Sequence, residues 1–548
     1  MTALLHRLLD TRRPLLAISF FVALCVLPAF FTLPASDRDE SRFAQATKQM
    51  VETGDFVNIR FLDTARNKKP VGIHWAQAAS VELVGAARAA IGLPRTPANP
   101  IWPYRLPSLL GLWVAAAATF LLGRALVGPR AALLAALMFA TSLVAVVEAH
   151  IAKTDAALTA AITVAMLLLA RAYTAPEGFS TRHAAGFWLA LGIGILLKGP
   201  IAPMVAALAI IVLVAVDRRL RWLGALRPLW GVPLMLAVVA PWFILIGIET
   251  RGEFFREALG GDLGAKLRGA DEQHGGPPGY HLLLATVTLF PASLLLWHAL
   301  PAIWADRRAA ANRLLLAWII PTWLVFEIAP TKLPHYVLPT FPAIFLLLAG
   351  WVLNDARQAP PRWLAGIGIA LWGVVVATFA VAPPLAGILA ARAFDPVWLL
   401  APLAAIALGW LAWGLLRDGE VKAIALAGLV FAPLLYGLVL GAILARLDAI
   451  WIAPRVAEAV RATGGGQLAS AGFHEPSLPF LLGTDTRLVR DGAEAAGFLA
   501  ETPGGRALVR DRYDEAFRAI RPEARKLATI EGFNYSRGQR VRLFLYGD

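Results

Sequence analysis

Thirteen apolar runs separated by polar turns occupy most of the chain up to residue 443: 14–33, 105–123, 131–149, 156–172, 184–197, 200–216, 229–248, 280–300, 314–329, 335–353, 363–383, 396–415 and 422–443. A helix needs about 20 apolar residues to cross a hydrocarbon layer, and fewer where it is short or bent. The pattern therefore predicts an all-α polytopic membrane protein with about 13 transmembrane helices. One further stretch, 75–92, is amphipathic, because Gln77, Glu82 and Arg88 interrupt its apolar residues at helical spacing. The runs 184–197 and 200–216 meet at Lys198-Gly199-Pro200, which predicts a tight turn.

Charge fixes the direction of the spans. If 75–92 lies flat as an interfacial helix, the short loops carrying Arg124 and Arg130, Arg171 and Arg182, Arg218 to Arg227, Arg307 to Arg313, Arg357 and Arg362, and Arg417 and Lys422 all fall on one side. That side is the cytoplasm. Counting 75–92 as a span would put every one of these loops outside. The N-terminus is thus expected inside and the C-terminus outside. Four segments then face outward: loop 34–104, the turn around Lys153 and Asp155, loop 249–279, and the turn Thr331 to Tyr336. Beyond the last span, Gly, Arg, Asp and Glu recur throughout, and residues 460–548 read as a small soluble outer domain of mixed α/β structure, attached to a transmembrane domain 1–450.

Composition agrees. The 548 residues are 58% hydrophobic and only 16% charged, against about 25% charged in soluble domains. A net charge of +14 would suit nucleic acid, but most of it sits in the cytoplasmic loops and in the C-terminal segment, so no nucleic-acid partner is expected. The single cysteine, Cys25, lies in an apolar run and cannot form an internal disulfide.

Candidate chemistry gathers on the outer rim. Asp39 and Glu40 follow directly on the first span, and Asp155 opens the fourth. A carboxylate there can accept a proton from an incoming nucleophile; the bland readings are a solvated loop start and a helix-terminal acid. Lys69-Pro70, Lys198-Gly199-Pro200 and Lys332-Leu333-Pro334 each place an ammonium on the side that the positive-inside rule depletes. Snorkelling would explain any one of them. Three together suit a phosphate leaving group, whose oxygens gain charge in the transition state. Arg268 can add a forked pair of hydrogen bonds, and His74, His335 and Tyr336 are further donors. No Cys/His spacing resembles a structural metal site, a divalent ion is left open as a cofactor, and no glycine-rich nucleotide loop follows a strand.

These motifs, Asp39-Glu40-Ser41-Arg42-Phe43, Lys69-Pro70 with His74-Trp75, Thr154-Asp155, Leu197-Lys198-Gly199-Pro200 and Lys332-Leu333-Pro334-His335-Tyr336, resemble those of bacterial membrane glycosyltransferases of the GT-C class. The likeness is to the aminoarabinose transferases of lipid A and the wider protein-mannosyltransferase-like group, and it covers residues 1–350 best. It implies a bacterial inner-membrane enzyme with a periplasmic active site and a periplasmic C-terminal domain. The donor would be a sugar on a polyprenyl phosphate, and transfer would invert the anomeric centre. The acceptor would be lipid A or another envelope glycan or protein, and the enzyme would act as a monomer. Asp39 would be the catalytic carboxylate and Asp155 the second essential acid. Lys69 would contact the lipid phosphate, with Lys198, Arg268 and Tyr336 lining the same cavity; Glu40, Arg42, His74, Lys332 and His335 complete the expected substrate-binding set. One position departs from the pattern: the aminoarabinose transferases carry Glu before that lysine, and this chain carries Lys68. The departure counts against a metal and in favour of a more anionic donor or acceptor. A flippase for lipid-linked sugars and a non-catalytic envelope scaffold are the alternative classes.

Overall fold

The structure is a computed structural model that describes residues 1–94, 99–258, 275–355, 360–392 and 394–547. Its first part is a bundle of apolar helices. Among the described residues eight are long and apolar enough to cross a membrane, from Trp102–Leu126 to Val421–Arg446. Two bent pairs, Thr2–Leu9 with Pro14–Phe30 and Pro129–Ala140 with Leu143–Ala149, bring the number to ten. The chain is a multi-pass membrane protein. The amphipathic stretch forms helix Gly72–Ala90. It buries Ile73, His74, Gln77, Ala78 and Gly85 and leaves Leu83 exposed.

Small residues let the central helices approach closely. Helix Pro129–Ala140 is buried from Ala131 through Ala140. At Gly111 a Cβ would stand 2.7 Å from the backbone of Ala156, so only glycine lets helix Trp102–Leu126 meet helix Asp155–Thr174 there. That contact fixes the depth of Asp155. Lys198 ends helix Thr181–Lys198, and Gly199, at φ +66°, turns the chain directly into helix Ile201–Asp217. The predicted tight turn thus presents Lys198 at the rim.

Between helix Pro14–Phe30 and helix Trp102–Leu126, helix Asp39–Thr53 is followed by a short hairpin, β1 (Arg60–Phe61) and β2 (Thr64–Ala65). After the bundle comes a five-stranded mixed sheet. Its strands are β3 (Leu468–Ala471), β4 (Arg487–Val489), β5 (Arg506–Arg510), β6 (Arg525–Asn534) and β7 (Gln539–Gly547), in the order β4-β3-β5-β7-β6. β3 runs parallel to β4 and β5, while β7 is antiparallel to β5 and β6. The sheet packs Leu468, Leu508, Leu543 and Leu545 against Val456 and Val460 of helix Ile452–Ala462.

This α/β region sits on the bundle through Phe480, which is fully buried with Ala35, Ala44, Ile101, Tyr104 and Ala152. The rings of Phe480 and Tyr104 meet edge to face at 5.3 Å. Gln45 and Glu52 of helix Asp39–Thr53 bond Thr484 at 2.9 and 2.7 Å. The first outer loop is therefore held between bundle and sheet.

Candidate active site

The rim of the bundle encloses a cavity of about 370 Å³. Lys68, Lys69, Lys198, Asp155, His335 and Tyr336 form its polar wall. Met204, Phe243, Phe254, Phe255 and Phe326 supply an apolar one. Six charged or polar groups lining the same cavity as four phenylalanines suit a ligand with an anionic head and a hydrocarbon tail.

Asp155 is the centre of the polar wall. It opens helix Asp155–Thr174, is buried, and accepts a short hydrogen bond from the Lys198 ammonium. Lys198 also stands 5.1 Å from the centre of the Tyr336 ring. On its other side Asp155 meets Lys153 Nζ at 3.6 Å and His335 Nε2 at 3.7 Å. His335 and Lys153 in turn reach Glu148, at 3.5 and 3.0 Å. Burial opposes charge on Lys153, but Glu148 and Asp155 outweigh it and raise its pKa, so it stays an ammonium.

Asp39 stands beside this wall, at the start of its helix. Its side chain reaches solvent, yet the surrounding protein opposes ionisation. The charges of Lys69, Lys153, Arg66 and Arg42 overcome that and hold the carboxyl below its ordinary value. It is therefore an anion in a basic setting. Lys153 interacts with both Asp39 and Asp155, so the two acids predicted to share the outer rim belong to one electrostatic cluster. Lys69 lies 5.2 Å, and the Arg66 guanidinium 4.4 Å, from the centre of the Phe43 ring.

Three predicted residues are placed elsewhere. Glu40 is 1% exposed and does not line the cavity. Its carboxylate accepts from Arg105 Nε at 2.7 Å and Nη2 at 3.0 Å, from the Ser36 amide and hydroxyl, and from the Ala152 amide. Burial opposes its charge and Arg105 more than compensates, so its pKa is lowered. Every lone pair is occupied, and Glu40 is scaffold. His74 is also 1% exposed, stacks on Phe43 and bonds Thr47 Oγ1 at 2.8 Å through Nδ1. Burial first, then Arg66 and Lys69, push its pKa down to about 3, which leaves it neutral. Lys332 is taken up by the carbonyls of Gly276 and Pro277 at 2.9 and 3.2 Å and by Glu327 at 3.6 Å. It fastens the turn that presents His335. Arg42 acts on Asp39 through charge. Arg268 lies outside the described residues.

The sequence reading missed Glu148 and Arg105. Glu148 is a carboxylate inside the apolar run 131–149, and a charge at that depth is costly enough to signal a role. Among the described residues no group of three or more His, Cys, Asp and Glu side chains could hold a metal ion.

Residues 68–245 match the family of dolichyl-phosphate-mannose-protein mannosyltransferases, a stretch that takes in Lys69, Asp155 and Lys198. Superposition on the ArnT crystal structure from Cupriavidus metallidurans bound to undecaprenyl phosphate gives a TM-score of 0.73 over 96% of this chain and 97% of that one, at 20% identity. The apo form of the same protein gives 0.70 at 21% identity. The chain shares the fold of that ArnT crystal structure. An undecaprenyl phosphate-alpha-4-amino-4-deoxy-L-arabinose arabinosyl transferase of Pectobacterium carotovorum is 28% identical over 352 residues, 63% of this chain and 60% of that relative. One from Aeromonas salmonicida is 29% identical over 65% of this chain and 64% of its own length. The match thus spans less than two thirds of these relatives.

Proposed function

We propose that this protein is an inverting glycosyltransferase that moves a sugar from a polyprenyl phosphate to a bacterial envelope acceptor. Lipid A is first among acceptors, and 4-amino-4-deoxy-L-arabinose is first among sugars, in keeping with the arabinosyl transferases that the chain resembles. The observation that carries this reading is the cavity, whose lining includes Lys68, Lys69 and Lys198 together with Phe243, Phe254, Phe255 and Phe326. The phenylalanines accommodate the first isoprene units, and the ammonium groups meet the phosphate.

The chemistry is a single displacement. The acceptor oxygen attacks the anomeric carbon from the face opposite the phosphate. As the new carbon–oxygen bond forms, the bond to the phosphate oxygen breaks and polyprenyl phosphate leaves. Negative charge grows on that phosphate, and ammonium groups fixed beforehand stabilise it without reorganising. Asp39, kept ionised by its basic neighbours, orients the acceptor and takes its proton where it carries one. Asp155 holds Lys198 toward the cavity.

Thirteen crossings follow when the two shorter apolar helices, Ile201–Asp217 and Ser293–Ala305, and the 18-residue helix Thr181–Lys198 are added to the eight long helices and two bent pairs. With the basic loops in the cytoplasm, the protein lies in the inner membrane as a single chain with its cavity and C-terminal domain in the periplasm. Cysteines placed at Asp63 and Asp511 should both be labelled from the periplasm.

The deciding test incubates purified protein in detergent with radiolabelled polyprenyl-phosphate sugar and lipid A. Labelled lipid A is expected, and its rate of formation must fall about 100-fold or more in Asp39→Asn. Because detergent abolishes any gradient, a flippase would transfer nothing. Absence of transfer to lipid A and to other envelope glycans overturns the reading.

A further inference from the structure

The segment just ahead of Asp39 has an unusual backbone. Arg38 lies at φ +70°, ψ −114°, in the half of conformational space that residues with a Cβ avoid. Residues held there persist only where the surroundings over-determine them, and they concentrate at functional sites. Here the surroundings come from residues 475–477 and 534–537, more than 430 positions away. Tyr535 Oη accepts from the Asp37 amide at 2.6 Å. The Ser477 hydroxyl donates to the Asp37 carboxylate. The Arg38 guanidinium donates to the Ser536 carbonyl at 2.9 Å and pairs with Glu475 at 3.8 Å.

The supports are themselves braced. Glu475 is 2% exposed and accepts from Asn534 Nδ2 at 2.9 Å, with Arg537 at 3.6 Å. Asn534 ends β6 and pairs with Gln539 at the start of β7, so the tip 535–538 has fixed register. The Tyr535 ring meets Trp451 edge to face at 6.0 Å. Burial lifts the Asp37 carboxyl to about 7, and the Glu475 carboxylate adds to it. That is a cost the fold tolerates at this junction.

From this junction we infer that the tip of the β6–β7 hairpin is a positioning element: Tyr535 and Glu475 hold Arg38 in its strained conformation, and Arg38 thereby aims Asp39 into the basic cluster. The role rests on the transferase reading above. It gives the C-terminal region a part in catalysis that acts through Arg38 and Asp39.

A contrast of two substitutions isolates the backbone. Arg38→Ala and Arg38→Gly remove the same guanidinium contacts, but only glycine adopts a positive φ without cost. Arg38→Ala and Tyr535→Phe should each lower kcat for sugar transfer about 10- to 100-fold, the scale of a small misplacement of a reacting group. Donor KM should stay unchanged, because Lys69 and Lys198 are untouched. Arg38→Gly should keep most of the wild-type kcat. Hydrogen exchange of the amides of residues 36–42 gives a readout independent of activity. It should accelerate in Arg38→Ala and Tyr535→Phe and stay near wild type in Arg38→Gly. Equal exchange in all three variants overturns the positioning role, as does equal kcat in Arg38→Ala and Arg38→Gly. A wild type that transfers nothing yet shows the exchange contrast refutes the transferase reading and leaves the hairpin's hold on Arg38 standing.

Discussion

Glu40→Gln replaces a buried carboxylate by an amide of the same shape, and the structure sets the size of the consequence. Five donors converge on the two oxygens. Arg105 Nε and the Ala152 amide point at Oε1, while the Ser36 amide, the Ser36 hydroxyl and Arg105 Nη2 point at Oε2. Whichever oxygen becomes the amide NH2, at least two donors face another donor. Each orphaned donor costs about 1–3 kcal/mol. Arg105, 0% exposed, also loses its counter-charge, although the carbonyls of Phe30, Leu33 and Pro34 still accept from it. Breaking one side of a buried ion pair typically costs about 3–5 kcal/mol, and the two routes agree. Reversible unfolding in mixed detergent–dodecyl sulfate micelles should show that loss, with transfer activity falling in step with the folded fraction. Asp39→Asn, at a solvent-facing neighbour, should unfold near wild type while losing transfer. A Glu40→Gln variant less than about 1 kcal/mol below wild type would show that the Glu40–Arg105 pair does not anchor the first outer loop, and would return Glu40 to the list of acids available for chemistry.

Asp39→Asn should slow transfer about 10²- to 10⁴-fold, the range for loss of a positioned acid–base group, measured as kcat at saturating donor. Lys69→Ala and Lys68→Ala should both weaken donor binding, since both residues line the cavity; a charge-assisted hydrogen bond is worth about 1.5–3 kcal/mol, and titration with undecaprenyl phosphate should show a rise of tenfold or more in Kd. Asp155→Asn should release Lys198, raising the donor KM as well as lowering kcat, and an unchanged KM would separate the pair from phosphate binding. For Asp37 the sign runs against the usual carboxylate: the folded protein keeps the proton up to about 7 while the unfolded chain releases it near 3.8, so this group makes the fold less stable as pH rises through that interval. Asp37→Asn should flatten the fall in melting temperature across the same interval.

The long membrane helices were legible because each is an apolar run of crossing length, and the proposed orientation rests on the arginines that the positive-inside rule assigns to the cytoplasm. The lysines of the cavity were legible for the complementary reason, since Lys69 and Lys198 stand where that rule predicts no cation. What stayed hidden is the difference between a charged group that is available and one that is already satisfied. Asp39 and Glu40 are neighbours, both acidic, both in the first turn of one helix. A helix turns about 100° per residue, so they must face different surroundings. The sequence cannot say which face meets Arg105, 65 positions on, or Ala152, 112 positions on. The same holds for Lys332, whose partners Gly276 and Pro277 come from another outer segment, and for Glu148, whose worth depends on Lys153 and His335 arriving from two different elements. Local pattern thus locates the rim and the charges on it. Which of those charges can act on a substrate is decided by long-range partners that consume the others, and that is why Asp39 stays exposed while Glu40, one residue later, is taken up by Arg105 and Ala152.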